Sequence, residues 1–182
     1  MVSKKKNILL GVTGSIAAYK SPQIIRSLQD EKYDVAVVMT AAAGHFITPL
    51  TMASISRQKV YGEMFAAQTE TWDKDHISLA EEADAVLVAP ATADFIGKAA
   101  AGIADDLLTC TVMATRAPVL IAPAMNHGMY LNPIVQDNIR RLKKCGMTFV
   151  GPGKGRLACG SSGEGRLADI DDIVRQVKKI LK

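Results

Sequence analysis

The chain has 182 residues, of which 48% are hydrophobic and 22% charged. This length suits one domain with its own core, and no apolar run approaches the roughly 20 residues that cross a bilayer, which argues against a membrane protein. The formal net charge of +4 comes largely from lysines near both ends, without the interleaved aromatic residues that stack on bases, so the composition does not favour nucleic-acid binding.

Short aliphatic and β-branched runs predict buried strands at 7–10, 34–39, 85–89, 119–122 and 148–150. Helix-length stretches lie between and after them at 16–30, 95–114, 133–144 and 170–181, and Asp169 is the predicted N-cap of the last. This alternation predicts an α/β fold over residues 1–182: a single Rossmann-like, doubly wound domain with an open parallel, flavodoxin-like sheet. Ligands bind such sheets beyond the carboxyl ends of the strands.

Residues 151–165 contain six glycines and predict a mobile loop, which forms part of a flap over about 151–168. The cysteines Cys110, Cys145 and Cys159 are odd in number and lack paired metal spacing, so we expect neither a disulfide framework nor a metal site. The basic N-terminus is followed by an apolar stretch that Gly11, Thr13 and Gly14 interrupt at once, which does not fit a targeting signal. A cytoplasmic location is the expectation.

The tight turn after the first strand, with Gly14, Ser15 and Ile16, opens a helix and has the geometry of an anion cradle. Glycine permits close approach of a ligand, and the free amides and dipole of a helix start favour a phosphate. A turn that needs glycine only for packing would look the same. The second strand ends in Met39 and Thr40 rather than in the acid that binds a dinucleotide ribose, so a mononucleotide is favoured.

Two proline-containing loops follow the third and fourth predicted strands, at 89–95 and 122–130, and form the floor of the predicted pocket. At these residues the sequence resembles the flavin-dependent cysteine decarboxylases, in particular those that act on phosphopantothenoylcysteine in coenzyme A biosynthesis. The resemblance extends from residue 7 to about 169. Its motifs are the segments 14–18, 90–94, 102–108, 123–126, 158–160 and 163–167.

The resemblance implies an FMN cofactor, a small-molecule substrate, phosphopantothenoylcysteine, and a set of site residues. Departures from the family pattern are Asp94, where many relatives carry Asn, and Tyr130, where Trp is common. Asp94 alters the contact that the resemblance implies with the flavin ring, because a carboxylate does not donate a hydrogen bond as an amide does. The implied residues are His76 and Cys159 for catalysis, Gly14, Ser15, Ile16, Thr40, Thr92, Ala93, Asp94, Phe95 and Ala124 for the cofactor, and Asn126, Met129 and Ala158 for the substrate.

The chemistry gives these groups their roles. Loss of CO2 from an N-acylated cysteine needs an electron sink, and a flavin supplies one by oxidising the side chain to a thioaldehyde. We expect His76 to move protons in the oxidative half, Asn126 to bind the substrate carboxylate and Cys159 to donate a proton in the reductive half. Without the resemblance, His76 could be structural, Asn126 a turn cap and Cys159 an incidental loop cysteine.

Other functions stay open at this point. A peptidyl-cysteine decarboxylase of lantibiotic maturation would share the flavin chemistry, and a non-catalytic flavoprotein would share the cofactor site. Flavin prenyltransferases share the fold but lack the segments around Asn126 and Cys159. The family pattern of sites shared between protomers implies a homotrimer or a multiple of trimers. The chain is expected to be either monofunctional or one part of a fusion with a synthetase.

Overall fold

A computed structural model describes residues 5–64, 76–156, 160 and 162–182. The first part contains β1 (Asn7–Val12), a 3₁₀ helix (Ile16–Lys20), α1 (Ser21–Asp30), β2 (Asp34–Met39), a second 3₁₀ helix (Ala41–His45), α2 (Pro49–Ser56), β3 (Val60–Tyr61) and α3 (His76–Glu82). The second part contains β4 (Ala85–Ala91), α4 (Ala93–Ala101), α5 (Leu107–Ala114), β5 (Val119–Pro123), α6 (His127–Leu131), α7 (Pro133–Lys144), β6 (Thr148–Phe149), β7 (Gly153–Arg156), β8 (Ser162–Arg166) and α8 (Ile170–Ile180).

Six parallel strands form an open sheet in the order β3-β2-β1-β4-β5-β6. Without the two-residue edge strand β3, the order is that of a flavodoxin-like sheet, so the predicted α/β fold is confirmed. The strand order reverses between β1 and β4. A crevice therefore opens at the carboxyl ends of these two strands, which is where doubly wound sheets bind ligands.

The side chains of β1 show why the sheet is covered on both faces. Ile8, Leu10 and Val12 belong to one core cluster with residues of α1 and α8, whereas Leu9 belongs to a second cluster with residues of α4, α5 and α7. Successive side chains of a strand point to opposite faces. A continuous apolar run is thus the pattern of a strand that is buried on both sides.

Two predicted helices are interrupted. The stretch 16–30 forms a 3₁₀ helix and then α1, which begins one residue before a proline at its first turn. The stretch 95–114 forms α4 and α5, because Gly102 ends α4 at a φ of +71° and Asp106 begins α5 with a capping box. A left-handed glycine terminates a helix readily, so a single helix was the wrong prediction there.

The glycine-rich stretch also differs from the predicted loop. Residues 153–156 and 162–166 pair as the antiparallel hairpin β7–β8. Asp169 precedes α8 as predicted, but its carboxylate makes no capping bond and instead accepts a hydrogen bond from Arg166 Nη2 at 2.6 Å. In the described part of the chain, no helix has the length and apolar character that a bilayer crossing requires.

Candidate cofactor and substrate site

One cavity of about 1100 Å³ lies at the carboxyl edge of the sheet, where the strand order reverses. The loops after β1, β2, β4 and β5 form most of its wall, and β7 and β8 complete it. The predicted residues that line it are Gly14, Ser15, Ile16, Thr40, Thr92, Ala93, Asp94, Phe95, Ala124, Asn126 and Met129.

The turn after β1 presents two unengaged backbone amides. Ser15 N–H donates to Thr13 O at 2.8 Å, and the Ser15 hydroxyl accepts the Ala17 N–H at 3.3 Å. Among the described residues, the N–H groups of Gly14 and Ile16 have no protein acceptor. Water or a polar ligand satisfies such groups at a cavity wall, and an anion is especially favoured at the start of a helix.

Gly14 also lets the loops after β1 and β2 approach each other closely. A Cβ atom on Gly14 would lie 2.5 Å from the Cβ of Ala42 and 3.1 Å from its carbonyl carbon. A contact of 2.5 Å is shorter than those that Cβ atoms make in proteins. The close approach of the two loops therefore requires glycine at this position. The same contact fixes the position of the Gly14 amide at the cavity wall.

The loops after β2 and β4 repeat the arrangement of the first turn. Thr40 caps the second 3₁₀ helix by accepting the Ala43 N–H at 3.3 Å, and Thr92 caps α4 by accepting the Phe95 N–H at 3.3 Å. In the described structure, the amides that follow each cap, at residues 41, 42, 93 and 94, make no protein hydrogen bond. Three helix starts thus direct donors at one cavity.

Thr13 ties two of these loops together. Its hydroxyl donates to Pro90 O at 2.7 Å and accepts the Thr92 N–H at 3.0 Å, and the side chain is buried. A buried hydroxyl that satisfies both a carbonyl and an amide is costly to remove. In the sequence, Thr13 is recognisable only as a polar residue of the turn after the first strand.

A group of three charged side chains lies beside α4. Lys98 Nζ is 3.1 Å from a carboxylate oxygen of Asp105 and 3.6 Å from one of Asp94. The hydrogen-bonded Asp105 carboxylate raises the pKa of Lys98, burial opposes this, and Asp94 adds to the increase. Asp94 therefore enters the site as one half of an ion pair rather than as an isolated carboxylate.

The turn after β5 is fixed at both ends. Ala124 N–H donates to Ala91 O at 2.9 Å, which joins it to the loop after β4. Asn126 caps α6, because its Oδ1 accepts the Gly128 N–H at 2.8 Å. This bond orients the Asn126 amide, so the role of a turn cap and that of a ligand contact are compatible in one residue.

Of the two predicted catalytic residues, the structure describes His76 alone. His76 is the first described residue of α3 and does not line the cavity of its own chain. Cys159 and Ala158 lie outside the described residues. Sequence reasoning missed several charged lining residues: Lys20, Lys98, Asp106, Arg156 and Arg166. Lys20 and Lys98 lie just after recognised motifs, Asp106 and Arg166 lie within them, and Arg156 lies just before one. The direction of each side chain into the cavity depends on tertiary contacts that the sequence does not show.

The donor set indicates what the cavity can hold. Open amides and cations suit a ligand with an anionic phosphate and a ring that carries hydrogen-bond acceptors, and the cavity is of the size of a cofactor site. Within the described ranges, no cluster of three His, Cys, Asp or Glu side chains could hold a metal ion. The site therefore favours an organic phosphorylated ligand.

Comparisons with known proteins agree with this ligand class. The family model described as Flavoprotein matches residues 2–182. The coenzyme A biosynthesis bifunctional protein CoaBC of Haemophilus influenzae is 44% identical over 168 residues, which is 92% of this chain and 42% of that protein. Its counterpart in Bacillus subtilis is 46% identical over 96% of this chain and 43% of the relative. The chain thus spans about two fifths of the length of these relatives.

Solved structures extend the likeness to the fold. A PPC decarboxylase complexed with pantothenoylaminoethenethiol has a TM-score of 0.85 and 32% identity, and covers 97% of this chain and 98% of its own. The FMN-dependent cysteine decarboxylase SpaF has a TM-score of 0.82 and 30% identity over 97% and 98% of the two chains. The FMN-binding protein AtHal3 has a TM-score of 0.82 and 32% identity over 97% and 96%.

Proposed function

Because the chain belongs to the Flavoprotein family, we propose that it is a carboxy-lyase that uses FMN to decarboxylate phosphopantothenoylcysteine to phosphopantetheine. The observation that supports this most directly is the single cavity that combines three helix starts with the Asn126 turn. The names and coverage of the CoaBC and PPC decarboxylase relatives support the substrate. The proposal places the reaction in coenzyme A biosynthesis and in the cytoplasm, with residues 1–182 acting as one domain.

The cofactor fits the donors of the cavity wall. The amides of Gly14 and Ile16 and the Ser15 hydroxyl would hold the FMN phosphate, with Thr40 beside them. Residues 92–95 and Ala124 would hold the ring. When bound, FMN supplies the electron sink, by accepting two electrons from the cysteine side chain and returning them after CO2 has left.

Asn126 would bind the substrate carboxylate through its amide nitrogen. Its Oδ1 already accepts the Gly128 N–H, so the nitrogen end is the one that can donate to an anion. An arginine there would stabilise the charged carboxylate more than the charge-dispersed transition state, which slows decarboxylation. A neutral amide binds the carboxylate without that penalty. Met129 lines the same cavity and would contact the substrate's apolar part.

His76 would act from a second protomer. It is absent from the cavity wall of its own chain, which supports a site that is completed by a neighbouring copy. We therefore propose a homotrimer or a multiple of trimers in which His76 moves protons during the oxidative half. Mixing an inactive His76→Ala chain with an inactive Asn126→Ala chain should restore part of the activity if the sites are shared.

Cys159 would donate the proton of the reductive half, with Ala158 beside the substrate. By sequence, both residues lie in the segment that connects β7 to β8, and this hairpin contributes Arg156, Gly165 and Arg166 to the cavity wall. Cys159→Ser should decarboxylate the substrate and release the oxidised enethiol. Normal formation of the saturated thiol by this variant would exclude the assigned role.

The deciding experiment measures CO2 and thiol product from phosphopantothenoylcysteine, after the purified protein shows a flavin spectrum. A colourless protein that binds no added FMN would refute the proposal. A peptide ending in cysteine serves as the competing substrate, because the likeness to SpaF makes peptidyl-cysteine decarboxylation the second candidate. Turnover of the peptide alone would replace the proposed substrate.

The Asn126 role has a matched control in the same molecule. Asn126→Asp keeps the oxygen that caps α6 and removes the amide donor, and it should abolish turnover while FMN stays bound. Asn132 caps α7 in the same way, by accepting the Ile134 N–H at 2.9 Å, and does not line the cavity. Asn132→Asp should therefore retain activity. Wild-type turnover in Asn126→Asp, or equal losses in both variants, would contradict the assignment of the Asn126 amide as the substrate donor.

A further inference from the structure

The hairpin β7–β8 is attached to the Asn126 turn by a small set of polar contacts. Glu164 N–H donates to His127 Nδ1 at 3.0 Å, and the Glu164 carbonyl oxygen lies 3.1 Å from the same nitrogen. Met125 N–H donates to Gly165 O at 2.9 Å. Both backbone groups of one hairpin residue thus meet the ring of His127, directly beside the predicted carboxylate ligand.

Two glycines bring the hairpin this close. A Cβ atom on Gly163 would lie 2.6 Å from His127 Cγ and 2.7 Å from its Nδ1. A Cβ atom on Gly165 would lie 2.3 Å from Met125 O. Both glycines are buried. Ser162, which precedes Gly163, and Glu164, which lies between the two glycines, are exposed. One bare face of β8 therefore packs on the turn, and the other faces solvent.

The hairpin enters the core where it ends, at Leu167 and Ala168, which are buried in the first core cluster. Beside the Asn126 turn the support is smaller, because no residue of α6 is buried and, among the described residues, β7 and β8 pair with no strand of the central sheet. A two-stranded hairpin is marginally stable unless it packs against another element. The imidazole provides that attachment in either neutral tautomer: Nδ1 accepts the Glu164 N–H when the ring proton is on Nε2, and donates to the Glu164 carbonyl oxygen when the proton is on Nδ1.

We propose that His127 is a positioning residue that holds the hairpin over the active cavity. Through Glu164, the ring fixes β8, and with it the wall formed by Gly165 and Arg166. The catalytic consequence rests on the proposed function: the segment that carries Cys159 begins and ends on this hairpin. Displacement of the hairpin should then impair the reductive half more than FMN binding or CO2 loss.

The first test uses paired substitutions of His127. His127→Ala removes the acceptor, whereas His127→Asn keeps an oxygen near the position of Nδ1. Hydrogen–deuterium exchange of the peptide 162–168 should accelerate about fivefold to tenfold in His127→Ala, as expected for the loss of one net hydrogen bond. His127→Asn should recover most of the protection. His45, which is exposed and outside the cavity wall, provides the control His45→Ala, with unchanged exchange.

Turnover provides the readout that a purely structural role would not change. With phosphopantothenoylcysteine, His127→Ala should keep its FMN and its KM but release a larger fraction of oxidised enethiol, and His127→Asn should reverse this. Unchanged exchange and an unchanged product ratio in His127→Ala would refute the proposal. The exchange experiment needs no substrate. A wild-type protein that binds FMN without turnover would thus defeat the proposed function alone.

Gly163→Ala gives an independent test if His127→Ala folds poorly. The added methyl group would meet the His127 ring and its Cβ and no other atom among the nearest contacts, so it should displace the hairpin while the imidazole is still present. In a double-mutant cycle, Gly163→Ala should have a large effect in the wild-type background and little effect in His127→Ala. Additive effects would show that Gly163 and His127 act separately, which contradicts the proposal.

Discussion

Gly14→Ala tests the cofactor end of the cavity. The new Cβ would lie 2.5 Å from the Cβ of Ala42 and 3.2 Å from its carbonyl oxygen, so the loops after β1 and β2 must separate. Ala42 belongs to a short helix whose backbone is held by Thr40, and neither contact is the end of a flexible side chain. The movement therefore shifts the open amides on both loops.

The cost follows from the size of the clash. Forcing a methyl group into a well-packed position costs about 1–3 kcal/mol. If the site recovers its geometry only when FMN binds, the same free energy is subtracted from binding, and Kd rises about 5-fold to 150-fold. Titration of apoprotein with FMN, followed by quenching of flavin fluorescence, measures this change.

Gly44→Ala is the matched control for this prediction. Gly44 lies in the same 3₁₀ helix as Ala42, and a Cβ there would meet no atom within 4 Å. The control should bind FMN with wild-type affinity, and its thermal midpoint should not fall. An unchanged Kd for Gly14→Ala would mean that the two loops move apart without cost, and the reasoning from close approach would be wrong.

Three further substitutions and measurements test the supporting structure. Thr13→Val leaves the Thr92 N–H without its acceptor and should lower the free energy of unfolding by about 1–3 kcal/mol; a wild-type urea midpoint would contradict this. Asp106→Ala removes the capping box of α5 and should cost about 1 kcal/mol in the same urea assay, with loss of α5 protection in hydrogen exchange. Burial raises the pKa of the Cys110 thiol, so less thiolate forms near neutral pH. Peptide-resolved alkylation should modify Cys110 more slowly than the exposed Cys145. Equal rates would contradict the inference that burial keeps the Cys110 thiol protonated.

The fold was predictable because both faces of the sheet are covered. Each central strand is a short apolar run, and the turn residues between runs are polar or glycine, so the α/β alternation is visible in the sequence. Helix boundaries were less accessible. Gly102 and the Asp106 cap divide one apparent helix into two, and a run of apolar residues on both sides conceals such a break.

The site was predictable to the extent that it depends on strand ends. Gly14, Thr40, Thr92 and Ala124 all follow strands of the central sheet, and topology alone brings these positions together. The contribution of His127 was not predictable. Its contact with Glu164 depends on the hairpin β7–β8, whereas the glycine content of that segment predicted a loop.

The two parts of the cavity wall should therefore respond differently to mutation. The loops after β1, β2 and β4 are joined by buried bonds such as that of Thr13 to Pro90, and they continue directly from core strands. The hairpin is attached to the Asn126 turn by the exposed Glu164–His127 hydrogen bond and by the Met125–Gly165 backbone bond. Substitutions at Gly14 or Thr13 should accordingly change FMN affinity, and substitutions at His127 or Gly163 should change the product ratio at constant FMN affinity. Because the first group acts through packing and the second through a local attachment, a combination of one from each group should give additive free-energy changes.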